Sequence, residues 1–327
     1  MRLAVKLSLA ALVAIGGSIA VDKRADRREA AWEAEFPPMG QLIEVDGVTV
    51  HVVVMGEGPD LVLIHGASGN LRDFTYSLMP RLAERYRVIA FDRPGLGYTD
   101  RLPGYGGAWE KGAESPAEQA ALFSAAAAQL GADRPLVLGH SYGAAVALAW
   151  ALDHPVAGVI DVAGATQPWP GELGWLYDVV GSRFGGAVVP PLVTAFITDG
   201  YIETATAGAF VPQEMPEDYG LHMGPELAVR RGTIRANYKQ VDSLYPHVLA
   251  MSERYPELTV PLEIVHGDAD KSVPLAVHSI PLSQQVPGAN LVILEGVGHM
   301  PHHADEDAIV AAVDRAAARA GLDVAPE

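Results

Sequence analysis

One pentapeptide restricts this chain more than any other: Gly139-His140-Ser141-Tyr142-Gly143 follows the apolar run 135–138 and precedes the Ala-rich stretch 144–152. A serine so placed sits at a strand-to-helix corner. Such a corner forces the serine backbone into a strained conformation, and neighbouring Cβ atoms would obstruct it, so glycines flank the corner and the hydroxyl stands exposed above the sheet. The pattern by itself arises by chance in Gly-rich chains, and this one carries 34 glycines. Its meaning therefore rests on what surrounds it.

Short apolar runs at 61–64, 87–91, 136–138, 159–162, 262–265 and 290–294 are bounded by turn residues and predict strands, most of them buried on both faces. Segments 42–45 and 48–55 flank Asp46-Gly47, a pair favoured in tight hairpins, and predict an antiparallel edge. A helical pattern covers 71–85. Ser115-Pro116-Ala117-Glu118 is a capping box with Pro at the first helical position, and it opens a helix to about Leu130. Alternation of this kind predicts a right-handed, mostly parallel sheet. Residues 165–256 break the alternation with Pro, Gly and eleven aromatic rings, among them Trp169, Trp175, Tyr177, Phe184, Phe196, Tyr201 and Phe210. The segment reads as an inserted cap roofing an apolar pocket, with Trp169, Trp175, Tyr177 and Phe184 expected to line it; for any one ring the other reading is the insertion's own small core.

An apolar share of 49% is ample for a buried core, and a formal charge of −17 opposes a nucleic-acid surface, which needs clustered Lys and Arg. The absence of cysteine excludes disulfides, thiolate metal sites and a cysteine nucleophile. Residues 7–21 carry no charge, a length typical of a signal-peptide core and short of the roughly 20 residues that span a bilayer. Lys23, Arg24, Arg27 and Arg28 follow at once, and positive charge there disfavours translocation. The expectation is an uncleaved membrane anchor with its side undetermined, the alternative being export after cleavage near Ala20. Residues 22–36 continue as a charged helical stalk until Pro37-Pro38 stops it. The domain plan is thus 1–40 as anchor or signal plus stalk, 41–164 with 257–327 as the core, and 165–256 as the cap.

A serine hydroxyl is a poor nucleophile until an adjacent base takes its proton, and that base needs an acid to hold its tautomer. Two strand ends supply candidates: His266-Gly267-Asp268-Ala269-Asp270 follows one, and Gly296-Val297-Gly298-His299 follows the next. All three groups fall beyond the carboxyl ends of strands, where open α/β sheets place their sites. Together with His65-Gly66-Ala67-Ser68-Gly69, Asp92-Arg93-Pro94-Gly95-Leu96-Gly97 and Gly298-His299-Met300-Pro301, these pieces resemble the α/β-hydrolase superfamily over residues 41–316, in particular its capped, esterase- and lipase-like members. The resemblance implies an α/β-hydrolase fold with a helical cap inserted in the core. It also implies Ser141 as nucleophile, His299 as base, and Asp270 as acid with Asp268 the runner-up. The oxyanion donors would be the backbone amides of Ala67 and Tyr142. His65, Asp92 and Arg93 read as loop anchors. His299, His302 and His303 imitate a metal cluster, but no Glu stands where a zinc-hydrolase motif needs one and His299 has the base role. No metal or organic cofactor is called for.

A serine at the corner disfavours epoxide hydrolases and haloalkane dehalogenases, which the resemblance associates with an aspartate there. The expected activity is hydrolysis of a moderately hydrophobic small-molecule carboxylic ester through an acyl-enzyme. Carbon-carbon bond hydrolases and perhydrolases share the triad, although Ala67 stands where the latter carry an aromatic residue. A ligand-binding protein that kept the triad is the alternative of another class.

Overall fold

The structure, a computed structural model, describes residues 2–110 and 112–325, with side chains from residue 16 onward. Its sheet starts with a hairpin, β1 (Gln41–Val45) and β2 (Val48–Met55), paired antiparallel. Asp46 and Gly47 turn it with φ of 51° and 79°, the double positive φ whose twist suits two right-handed strands. The remaining strands are β3 (Asp60–Ile64), β4 (Arg87–Phe91), β5 (Leu136–His140), β6 (Gly158–Val162), β7 (Leu262–Gly267) and β8 (Asn290–Leu294). They form one eight-stranded sheet in the order β1-β2-β4-β3-β5-β6-β7-β8. β2 is antiparallel to β4, and every pair beyond is parallel. This is the mostly parallel sheet of an α/β-hydrolase fold.

Helix α1 (Arg2–Glu35) precedes the sheet. α2 (Arg72–Thr75), α3 (Leu78–Leu82), α4 (Pro116–Gln129) and α5 (Tyr142–Asp153) connect the first six strands. Between β6 and β7 stand α6 (Trp175–Gly181), α7 (Arg183–Phe196), α8 (Asp199–Gly208), α9 (Tyr219–Met223), α10 (Arg231–Asp242) and α11 (Leu244–Ser252), and α12 (Ser279–Gln285), α13 (Pro301–Ala304) and α14 (Glu306–Ala320) complete the chain. The single helix expected over 71–85 is two short ones. Pro80 lacks an amide hydrogen and its ring opposes the carbonyl four residues back, so the helix breaks at Ser77, whose φ is −149°. At the start of α4 the capping box is complete, with Ser115 and Glu118 bonding reciprocally.

Side chains alternate across each central strand, and each face has its own core. Val62, Ile64 and Val137 join Phe123 and Trp150 under α4 and α5, while Leu61, Leu63, Leu136 and Leu138 join Phe74, Ile309 and Val313 under α2 and α14. Burial on both faces is why these runs are apolar without a break.

The end of α1 does not stand free. Its Ala25 and Trp32 are buried, as is Phe36 just beyond it, and its charged side chains engage the cap. Arg231 at the start of α10 pairs with Asp22, Asp26 and Glu29, and Arg230 with Glu33. Arg24 and Arg28 donate to the carbonyls of Ala195 and Ile197, at the C-terminal end of α7 where unpaired carbonyls favour cations. The expected membrane segment, residues 7–21, lies largely outside the described side chains. Among the described residues no single helix is long and apolar enough to cross a membrane.

Candidate active site

β5 delivers Ser141 to the corner with φ 54° and ψ −116°, a conformation that costs a non-glycine residue and persists only where surroundings dictate it. They do so here through close approach. A Cβ on Gly143 would come within 2.1 Å of the Ile64 carbonyl oxygen, and one on Gly139 within 2.2 Å of the Gly143 oxygen. The helix start therefore presses on β3 so tightly that only glycine fits. The Ser141 amide donates to Val162 O at 2.9 Å, tying the corner to β6.

His299 arrives on the loop after β8. Ser141 Oγ lies 3.0 Å from His299 Nε2, and Asp270 Oδ2 lies 2.6 Å from His299 Nδ1. The carboxylate can only accept, so Nδ1 carries the proton and Nε2 is left to accept from the serine hydroxyl. Asp270 Oδ1 accepts the amides of Ser272 and Val273 at 2.8 and 2.9 Å. Burial pushes its carboxyl up, but hydrogen bonds from His266 and His299 outweigh that and hold it well below the ordinary carboxylate range. Asp268 is turned elsewhere, accepting the Gly296 amide at 2.6 Å. The structure thus brings Asp270, and not Asp268, to the imidazole.

The His65-Gly66-Ala67 loop lies against the serine: a Cβ on Gly66 would meet Ser141 Cβ at 3.1 Å. His65 Nε2 accepts the Arg93 amide at 2.9 Å, so Nδ1 donates to Gly66 O at 2.8 Å, and burial pushes the imidazole down to about 4. Asp92 takes the amides of Leu71 and Tyr98 at 2.7 and 2.8 Å. These contacts are those of loop anchors. Tyr142 opens α5, where an amide has no intrahelical acceptor. His140 also has a task that the sequence did not show: its buried Nε2 donates to the carbonyl of His299 at 2.9 Å.

Ser141, His299 and Ala67 line a cavity of about 870 Å³ whose remaining wall is mostly apolar and comes mainly from the cap. The four rings expected to line it do not. Trp175 and Phe184 sit at the starts of α6 and α7, where the helix phase turns them outward, 73% and 70% exposed. Trp169 packs edge-on against Tyr245, and Tyr177 lies behind Tyr238 at 5.0 Å. Phe196, Tyr201, Phe210, Tyr219 and Tyr238 line the cavity instead. One signal could have found the wall: Val189, Leu192, Val193 and Phe196 recur at i, i+3, i+4 and i+7, one helical face, and all four line the cavity.

Among the described residues, the group of three whose ligand atoms could hold a metal ion is Asp73, His302 and His303; His299 is directed to Ser141. Asp73 accepts from Tyr219 Oη at 2.7 Å, His303 Nε2 at 2.8 Å and His302 Nε2 at 3.1 Å. Its carboxyl, raised by burial, is held well below its ordinary range by the two imidazoles. The cluster ties the cap, through Tyr219, to the segments following the His65-Gly66-Ala67 loop and His299.

A serine, an imidazole and a carboxylate in series at the carboxyl edge of this sheet, under an inserted cap, define a hydrolase of the α/β class. The chain belongs to the alpha/beta hydrolase family, whose model matches residues 61–312. It is 30% identical over 268 residues to a pimeloyl-[acyl-carrier protein] methyl ester esterase of Aeromonas hydrophila, covering 78% of this chain and 93% of that one. Among solved structures, an esterase of Thermogutta terrifontis superposes with a TM-score of 0.68 at 17% identity, over 86% of this chain and 99% of the other. A bacterial membrane phospholipase A superposes with a TM-score of 0.63 at 21% identity, over 97% and 99%.

Proposed function

We propose that the protein is a serine-dependent carboxylic ester hydrolase acting through an acyl-enzyme. One observation carries the reading: the Ser141–His299–Asp270 relay, with spacings of 3.0 and 2.6 Å, opens into the large apolar cavity. Ser141 Oγ attacks the ester carbonyl as His299 Nε2 takes its proton, and the carbonyl oxygen becomes an oxyanion facing the Ala67 and Tyr142 amides. Collapse expels the alcohol, which receives that proton from His299. Water then gives a proton to His299 and attacks the acyl carbon, and release of the acid returns the proton to Ser141. Similarity to a methyl ester esterase supports an ester as the bond cleaved.

The cavity falls in the upper part of the roughly 300–1,000 Å³ range of small-molecule sites, and its apolar cap wall suits a moderately hydrophobic ester. The acyl chain would run along α7. We assign residues 7–21 to an N-terminal anchor on the strength of their uncharged length and the basic residues that follow.

The test is mass spectrometry of the full chain after treatment with a fluorophosphonate. Labelling at Ser141, absent in Ser141→Ala, together with multiple turnover on aliphatic p-nitrophenyl esters, is the expected result. An unlabelled, folded wild type would overturn the reading in favour of a binding protein.

A further inference from the structure

The loop that carries the proposed oxyanion donor is held in place by the cap. Ser68, next to Ala67, has φ of 57°, a left-handed conformation that favours glycine and that a serine keeps only under restraint. The restraint comes from α10. Asn237 Oδ1 accepts the Ser68 amide at 2.7 Å, and Asn237 Nδ2 donates to Ser68 Oγ at 2.9 Å. Asn237 is buried whereas Ser68 is exposed, so the two bonds are shielded from the α10 side only.

The preceding peptide is pinned from its other side. Gly66 O accepts from Arg93 Nη1 at 3.1 Å as well as from His65. A peptide carbonyl and its amide point in opposite directions, so fixing Gly66 O fixes where the Ala67 amide aims. The same guanidinium lies 3.7 Å from the centre of the Tyr142 ring, the residue whose backbone is the second donor. Arg93 is fully buried, and its Nη2 donates to Gln240 Oε1 at 2.6 Å. Gln240 is one turn along α10 from Asn237. One face of one cap helix therefore reaches the surroundings of both donors: Asn237 holds Ser68, next to Ala67, and Gln240 holds the Arg93 that bonds Gly66 O and lies over the Tyr142 ring.

We infer that α10 completes the oxyanion hole, with Asn237, and Gln240 acting through Arg93, as positioning residues, so that acyl transfer requires the cap seated on the core. The inference rests on the acyl-transfer reading above. It separates two tasks of the cap: α7 forms the apolar wall, whereas α10 sets the geometry of charge stabilisation.

The test uses the full-length protein, Asn237→Ala and Asn237→Ala/Ser68→Gly, with a trifluoromethyl alkyl ketone and the methyl ketone of the same chain. Ser141 Oγ adds to the trifluoromethyl ketone carbon, its proton passes to His299, and the ketone oxygen becomes an oxyanion in the hole; the methyl ketone binds without that adduct. In Asn237→Ala, kcat is expected to fall about 100-fold, the scale of a lost oxyanion donor, with KM little changed. Trifluoromethyl ketone affinity falls in step and methyl ketone affinity stays. The added glycine, which adopts positive φ without cost, restores part of both losses. A kcat and trifluoromethyl ketone affinity retained in Asn237→Ala would overturn the coupling, as would an equal loss for both ketones. A wild type that no fluorophosphonate labels overturns the acyl-transfer reading and the coupling with it.

Discussion

Asp270 and Asp161 show how burial and hydrogen bonding set the charge of single residues. Asp270 gains enough donors to stay ionised, so the stability it lends is complete above the ordinary carboxylate range and is lost only as pH falls through its lowered folded value. Asp161, on β6, is the opposite case. It is fully buried with the Gly164 amide at 2.8 Å, and burial pushes its carboxyl up to about 6. A raised carboxyl contributes stability that is full below the unfolded value and lost as pH rises through the folded one. Asp161→Asn should therefore stabilise the protein by about 3 kcal/mol at about pH 8 and by well under about 1 kcal/mol at about pH 4, as read by urea denaturation at the two pH values. Equal stabilities at the higher pH would show that the buried carboxylate costs nothing. At this scale the sequence spoke clearly for Ser141 and His299, because a strained corner and a strand end leave few residue choices. For Asp268 against Asp270 the chain offers two carboxylates two positions apart; the resemblance favoured Asp270, and the direction of each side chain separates them.

At the scale of elements, the strands were legible because burial on both faces demands unbroken apolar runs, and the capping box of α4 was legible because its chemistry is local. The cavity wall was not. Aromatic content drew attention to Trp175 and Phe184, whereas the lining follows from helix phase: Val189, Leu192, Val193 and Phe196 share the face of α7 that meets the cavity. If the acyl chain lies along that face, Val193→Phe fills its path. Long-chain p-nitrophenyl esters should then lose about tenfold in kcat/KM while short-chain esters are retained, a discrimination of the size that a few methylenes command. A uniform loss across chain lengths would place the acyl group elsewhere in the cavity.

For the whole molecule, the arrangement of note is the union of three separate stretches of chain: the end of α1, the cap and the loop from His65 to Ser68. α1 lies on α7 through Arg24 and Arg28 and on α10 through the Arg231 cluster, and α10 in turn holds Ser68. Arg231 and Glu29 are mostly shielded, at 21% and 17% side-chain exposure, so their pairing is worth more than that of an open surface pair. Arg231→Ala should lower the local opening free energy of the end of α1 by about 1–2 kcal/mol. Hydrogen–deuterium exchange across residues 22–36 would read this as roughly tenfold faster exchange. Unchanged exchange would mean that Trp32 and Phe36 hold the helix without the ion pairs.

The sequence by itself determined the sheet, the corner at Ser141 and the candidates beyond the strand ends. Each of these follows from local sterics or from the periodicity of burial, and both are written in consecutive residues. Tertiary structure alone decided which helical face lines the cavity, and that residues 22–36 lie on the cap and not apart from it. Those outcomes depend on the relative placement of segments far apart in the chain. Asn237 and Ser68 are separated by 169 positions, and no pattern along a single strand or helix records that they meet.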